Sequence, residues 1–109
     1  MTAASLGGHV NDDGNLVALS GRLDVHAAAD IRLELADAVD RGEGELVIAL
    51  ADLEAVDATG LGVLVGAHRR AQRAGRTLVL EDVPDAVGRL LLVTRLDRIL
   101  QTRRSAECA

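Results

Sequence analysis

The chain has no aromatic residue: Phe, Tyr and Trp are absent from all 109 positions. Stacking platforms for bases, sugars or flavins are therefore missing, which argues against single-strand nucleic-acid binding. Lysine is absent too, so all 12 cationic residues are arginines. Against 17 acidic residues they leave a net charge of −5, the wrong sign for a partner of nucleic-acid phosphates. Without lysine, the phosphate-binding loop G-x-x-x-x-G-K-[ST] is excluded. The single cysteine, Cys108, lies next to the last residue, so neither an internal disulfide nor a cysteine metal cluster is available. No apolar run reaches the length of a membrane span, and "MTAASLGGHV" lacks a basic segment followed by an apolar one. These absences predict a cytoplasmic protein with no membrane partner, no cofactor and no metal.

What is present is aliphatic. Apolar residues make up 49% of the chain, enough for one small core. One domain is expected over residues 1–109, with its core at about 9–100 and loose ends at 1–8 and 102–109. "NDDGN", Asn11 to Asn15, is turn chemistry, and it separates a short strand near His9–Val10 from "LVALSG". Asp24 is placed to cap a helix from Val25 to about Arg41, with Gly42 as its stop. Ala28, Ile31, Leu35, Ala38 and Val39 share one helical face, and Leu33 points away from it. "ELVIAL", Glu45 to Leu50, reads as a central strand buried on both faces. A second helix runs from about Thr59 to Ala74, followed by the buried strand "TLVLE". Pro84 opens a third helix, in which Val87, Leu90, Leu91 and Thr94 share a face. "LDRIL", Leu96 to Leu100, reads as a last short helix or strand. The order β-β-α-β-α-β-α implies an α/β fold, a small mixed sheet flanked by helices.

"VDATGLG", Val56 to Gly62, joins a strand to a helix. A helix start offers unpaired N–H groups and the positive end of a dipole. Asp57 opposes a free phosphate there, because like charges repel. The plainest role is structural: Asp57 or Thr59 caps the helix, while Gly60 and Gly62 allow close packing on the sheet. Along the same helix Leu61, Leu64, Val65, Ala67 and Ala71 form a core arc, and Gly62, Gly66, Arg69 and Arg73 form the opposite stripe. An interior helical glycine costs about 1 kcal/mol relative to alanine. Two of them on the outward stripe suit a face that another backbone approaches, with Arg69 and Arg73 for acidic groups; glycines merely tolerated by the fold are the alternative.

The segments "LSGRLDVHAAADIRLEL" and "ELVIALADLEAVDATGLGVLVGAHRRAQRAGRTLVLEDVPDAVGRLLLVTRLDRIL" resemble a STAS domain, the fold of bacterial anti-sigma-factor antagonists. The resemblance covers about Val10 to Leu100, and its most specific parts are G-x-L-D at Gly21 to Asp24 and D-x-[ST]-G-L-G at Asp57 to Gly62. It implies a partner: an anti-sigma factor that is also a Ser/Thr kinase, which phosphorylates a serine directly after the motif Asp and thereby releases the antagonist. Asp24, Asp57, Gly60, Leu61 and Gly62 match, but the acceptor position is Ala58, which has no hydroxyl. Thr59 is the neighbouring hydroxyl and an alternative acceptor, turned by about 100° along a helix. Arg95 stands where such proteins commonly carry the glycine of T-G-L-D. The expected partner-binding surface is Asp24, Asp57, Ala58, Thr59, Gly60, Gly62, Gly66 and Arg69, and it implies binding without the usual release. The competing readings are a non-phosphorylatable STAS scaffold, self-associating as a homodimer, or a module sensing a small ligand such as a nucleotide at the second helix start.

No enzyme is expected. Ser5, Ser20 and Ser105 lack a nucleophile-elbow context, and His9, His26 and His68 form no triad pattern with them. His68 lies on nearly the same helical face as Leu61, flanking the core. "NDDGN" lacks the glutamate and spacing of an EF-hand.

Overall fold

The structure, a computed structural model, describes residues 6–10 and 14–105. Its elements are β1 (Leu6–Val10), β2 (Leu16–Leu23), α1 (Ala28–Arg41), β3 (Glu45–Val56), α2 (Ala58–Arg73), β4 (Thr77–Glu81), α3 (Asp85–Val93), a 3-10 turn (Leu96–Arg98) and β5 (Gln101–Arg103). The strands form one sheet in the order β1-β2-β3-β4-β5. β1 and β2 are antiparallel, with Val10 opposite Val17, and every other neighbouring pair is parallel. The hairpin expected around "NDDGN" therefore forms. Residues 11–13 of its turn lie outside the described residues, and Gly14 supplies the left-handed φ of +69°.

Side chains of one parity on the strands meet all three helices in one cluster. Val17, Leu19 and Leu23 of β2, Leu46, Ile48 and Leu50 of β3, and Leu78 and Leu80 of β4 join Ile31, Leu35 and Val39 of α1, Leu61, Leu64 and Ala71 of α2, and Val87 and Leu91 of α3. Full burial of each such Leu, Ile or Val contributes about 1.5–3 kcal/mol, so the aliphatic core carries the fold without aromatics. The α1 face read from the sequence matches the buried set, and Leu33 is 70% exposed.

Several boundaries differ from the sequence reading. Thr102 and Arg103, expected in a loose end, belong to β5, which pairs with β4 and is held by Arg103 bonds to Glu45 (2.9 Å) and Glu81 (3.3 Å). Leu6–Gly8, expected loose as well, belong to β1. β3 is buried at Leu46, Ile48 and Leu50, but Val47 and Ala49 are only half-buried, so its second face is less covered than a continuous apolar run suggests. β3 also extends to Val56, because β2 keeps pairing with it through two irregularities that flank Ser20–Gly21, the second at Gly21 with a φ of +85°. That extension brings the ends of both strands, Leu23 and Val56, side by side. α1 starts at Ala28 rather than Val25, because residues 25–27 form a turn.

One cation holds the opposite end of the sheet. Arg76 is 5% exposed. Its guanidinium donates to the carbonyls of Ala38 (2.9 Å) and Val39 (3.1 Å) in the last turn of α1, and to those of Gly14 (3.1 Å) and Gly44 (3.0 Å) in two loops. A helix end leaves carbonyls without intrahelical partners, and the planar fork of Arg76 serves them. Burial lowers its pKa, opposed by the charge of Glu43. Gly42 is required beside it: a Cβ there would lie 2.6 Å from the Gly14 carbonyl oxygen.

Candidate functional site

Asp57 closes the end of the sheet where β2 and β3 stop together. Its backbone is extended, and its Oδ1 accepts the Gly60 N–H at 2.8 Å, capping α2. Its Oδ2 accepts the N–H of Val25 at 3.1 Å, 32 residues earlier in the chain. Its own N–H donates to the Leu23 carbonyl at 3.2 Å. One carboxylate thus fastens the α2 start to the β2–α1 turn. Asp24 works in the same turn, where its Oδ1 accepts from the N–H of His26 (3.0 Å) and of Ala27 (3.3 Å). Arg22 Nε stands 3.8 Å from Asp24 Oδ2. The structure therefore brings Asp24 and Asp57 together, and both order backbone.

Gly60 belongs beneath this surface rather than on it. It is buried, and a Cβ on it would overlap the carbonyl oxygen of Leu23 and lie 2.7 Å from Val56 Cγ2. Only glycine lets α2 start this close to β2. Ala58 and Thr59, by contrast, are exposed on the first turn of α2. Val25, read from the sequence as a helix start, is 60% exposed on the adjoining turn. A single valine after an acidic cap carries no signal that would mark it as surface.

From Ala58 a groove of about 420 Å³ runs along α2. Its α2 side is Ala58, Leu61, Gly62, Val65, Gly66 and Arg69, and its far wall is Thr94 and Leu96. Four of the expected surface residues, Ala58, Gly62, Gly66 and Arg69, thus share one concave face. A Cβ on Gly62 or Gly66 would meet nothing within 4 Å, so the fold itself does not require these two glycines. The far wall was not read as part of the site; its position follows from Arg95, whose left-handed φ of +63° turns the chain from α3 into the 3-10 turn. Arg73 is exposed on the same stripe. His68 is buried, and its Nδ1 has no hydrogen-bond partner. His26 is exposed, and the side chain of His9 lies outside the described residues. No group of three His, Cys, Asp or Glu with metal-binding geometry occurs among the described residues. No helix among them is long and apolar enough to cross a membrane.

A mixed sheet under a single helical core, with an Asp-capped helix rising from the strand ends, defines a STAS domain. The chain belongs to that family: residues 9–102 match the family model described as "Mlab, STAS domain". Among its relatives is the anti-sigma F factor antagonist of Paenibacillus polymyxa, 34% identical over 86 residues, which cover 78% of this chain and 74% of that one. The anti-sigma-B factor antagonist of Bacillus subtilis (strain 168) is 32% identical over 97 residues, 89% of this chain and 88% of that one. Among solved structures, an anti-sigma factor antagonist from Mycobacterium paratuberculosis shares the fold with a TM-score of 0.77 at 23% identity, over 94% of this chain and 89% of the other.

Proposed function

We propose that this protein is an anti-sigma-factor antagonist that binds a kinase-like anti-sigma factor and is not released by phosphorylation at the usual position. The observation that carries this reading is Ala58. It is exposed, follows the capping Asp57 directly and lines the groove along α2. The antagonist names of its relatives support the partner class. The docking surface comprises Asp24 and Asp57 as the frame, Ala58 and Thr59 as the rim, and Gly62, Gly66 and Arg69 as the groove. Its work is binding rather than catalysis. A phosphate at position 58 would add about −1.5 to −2 charges beside two carboxylates, and its absence removes that repulsive release step.

A tagged pull-down from the native lysate, with bound proteins identified by mass spectrometry, tests this. Wild type should retain a kinase-like anti-sigma factor, and Ala58→Glu should lose it. Recovery of only this chain or other STAS chains with both baits would instead establish a scaffold. Thr59 is a second candidate acceptor because its side chain is exposed one residue along. Incubation of the complex with ATP, followed by mass spectrometry, should then find phosphate on Thr59 and none on the Thr59→Val variant.

A further inference from the structure

On the other flank of α2 from that groove, a notch of about 160 Å³ opens between α1 and α2. Its apolar lining comes from Leu35 of α1 and from Val63 and Ala67 of α2, all buried in the core. Three guanidinia line it: Arg32 from α1, and Arg70 and Arg73 from α2. Arg70 is tied to Asp40 at 2.8 Å, a bond that also joins the two helices. Arg32 and Arg73 are exposed and take part in no ion pair among the described residues. A chain of net charge −5 thus carries a cationic notch on its helical face. Gly66 lines both this notch and the groove on the α3 side, and nothing lies within 4 Å of the space its Cβ would fill.

We infer that the notch is a second contact point that receives carboxylate side chains from an acidic amphipathic segment of a partner protein crossing α2 at Gly66. The inference rests on the reading of α2 as the docking face. Two features select this occupant. The cations call for carboxylates, and two copies of a chain of net charge −5 repel one another overall, which disfavours a second copy as their source. The notch is also smaller than the roughly 300 Å³ at which small-molecule sites begin, so it suits one or two acidic side chains rather than a nucleotide. Apolar side chains of the same segment would enter the groove toward Leu96, whose lining is mainly aliphatic. The two depressions on either side of Gly66 then read one helix by charge and by apolar shape together.

The test is an amide NMR titration of the full chain with a synthetic helical peptide of Leu, Ala and Glu, run beside a control peptide in which every Glu is Gln. The Glu peptide should shift the amides of Arg32, Gly66 and Arg73, and bind about tenfold more tightly than the Gln peptide. The double variant Arg32→Glu/Arg73→Glu should abolish that difference while keeping the wild-type circular dichroism, since both side chains are exposed. Equal binding of the two peptides, or shifts confined to Ala58 and Thr59, would overturn the notch and leave the antagonist reading to its own pull-down. Shifts at Arg32 and Arg73 that grow with protein concentration, without peptide, would assign the notch to a second copy and overturn an acidic partner.

Discussion

Three glycines within one helix are expected to respond to the same substitution in opposite directions. Gly60→Ala places a Cβ against the Leu23 carbonyl oxygen, a backbone atom that cannot rotate away, and within 3 Å of Val56 Cγ2 and Leu23 Cγ. The α2 start must then lift off β2 by roughly 1 Å, and overpacking of this kind costs about 1–3 kcal/mol. The lift also strains the Asp57–Gly60 cap, worth about 1 kcal/mol. The gain from replacing a helical glycine is about 1 kcal/mol, so the net expectation is a loss of about 2 kcal/mol. Gly62→Ala and Gly66→Ala meet open space, so each should show only the propensity gain of about 1 kcal/mol.

Urea denaturation followed by circular dichroism reads all three as midpoint shifts at constant slope. The expected pattern is one midpoint lowered and two raised, corresponding to melting temperatures about 8 °C lower and about 4 °C higher for a domain of this size. A stabilised Gly60→Ala would refute the close approach of α2 to β2. Destabilised Gly62→Ala or Gly66→Ala would refute their openness. If Gly66→Ala is more stable and still holds the partner at wild-type affinity, the docking role of that glycine fails.

Other substitutions probe the remaining devices. Arg76→Met should destabilise the fold by about 3 kcal/mol or more, because buried carbonyls of α1 and two loops lose a charged donor at once; a chemical melt within 1 kcal/mol of wild type would refute that role. Arg95→Gly should stabilise by about 1 kcal/mol, since a non-glycine residue at a φ of +63° is strained; an unchanged urea midpoint would mean the strain is relieved elsewhere. The hydrogen bond from Arg70 lowers the pKa of Asp40 below its ordinary value of 3.8. A depressed folded-state pKa means the pair stabilises fully above the ordinary carboxylate value and loses that contribution as pH falls through the lowered one. Carboxyl NMR titration should therefore find Asp40 titrating low in wild type and near its ordinary value in Arg70→Gln.

Much of this architecture was legible because the helices obey a simple period. The buried stripe of α1, the core arc and outward stripe of α2, and the stops at Gly42 and Gly75 all follow from spacing and from backbone freedom at glycine. Val25 and β3 were less legible for one common reason. "ADLEAV" contains two acidic residues that a buried strand would reject, yet it continues β3 because β2 bends along it at Gly21. Such pairing depends on a neighbour and leaves no local pattern. The α2 start then sits against that neighbour, which makes Asp57 a tie to Val25 as well as a cap, and makes Gly60 a packing requirement. Arg76 escaped notice because most of its partners are backbone carbonyls, which every sequence possesses. β5 escaped it because three exposed residues carry no alternation of their own.

The site's arrangement also separates folding stability from surface charge at position 58. Asp57 already uses both oxygens on backbone donors, and Asp24 uses one oxygen on two more. These bonds hold the turn whether or not position 58 carries a charge. Ala58 is exposed, so a side chain added there displaces no core atom, and its effect on folding should stay within about 0.5 kcal/mol. The same charge lies on the rim of the groove, where a partner would have to desolvate it beside two carboxylates. An acidic group there would therefore act on the complex while leaving the monomer nearly unchanged. On the proposed antagonist reading, an alanine at that place would leave the site in its binding form, and control of the complex would fall to whatever sets the amounts of the two proteins.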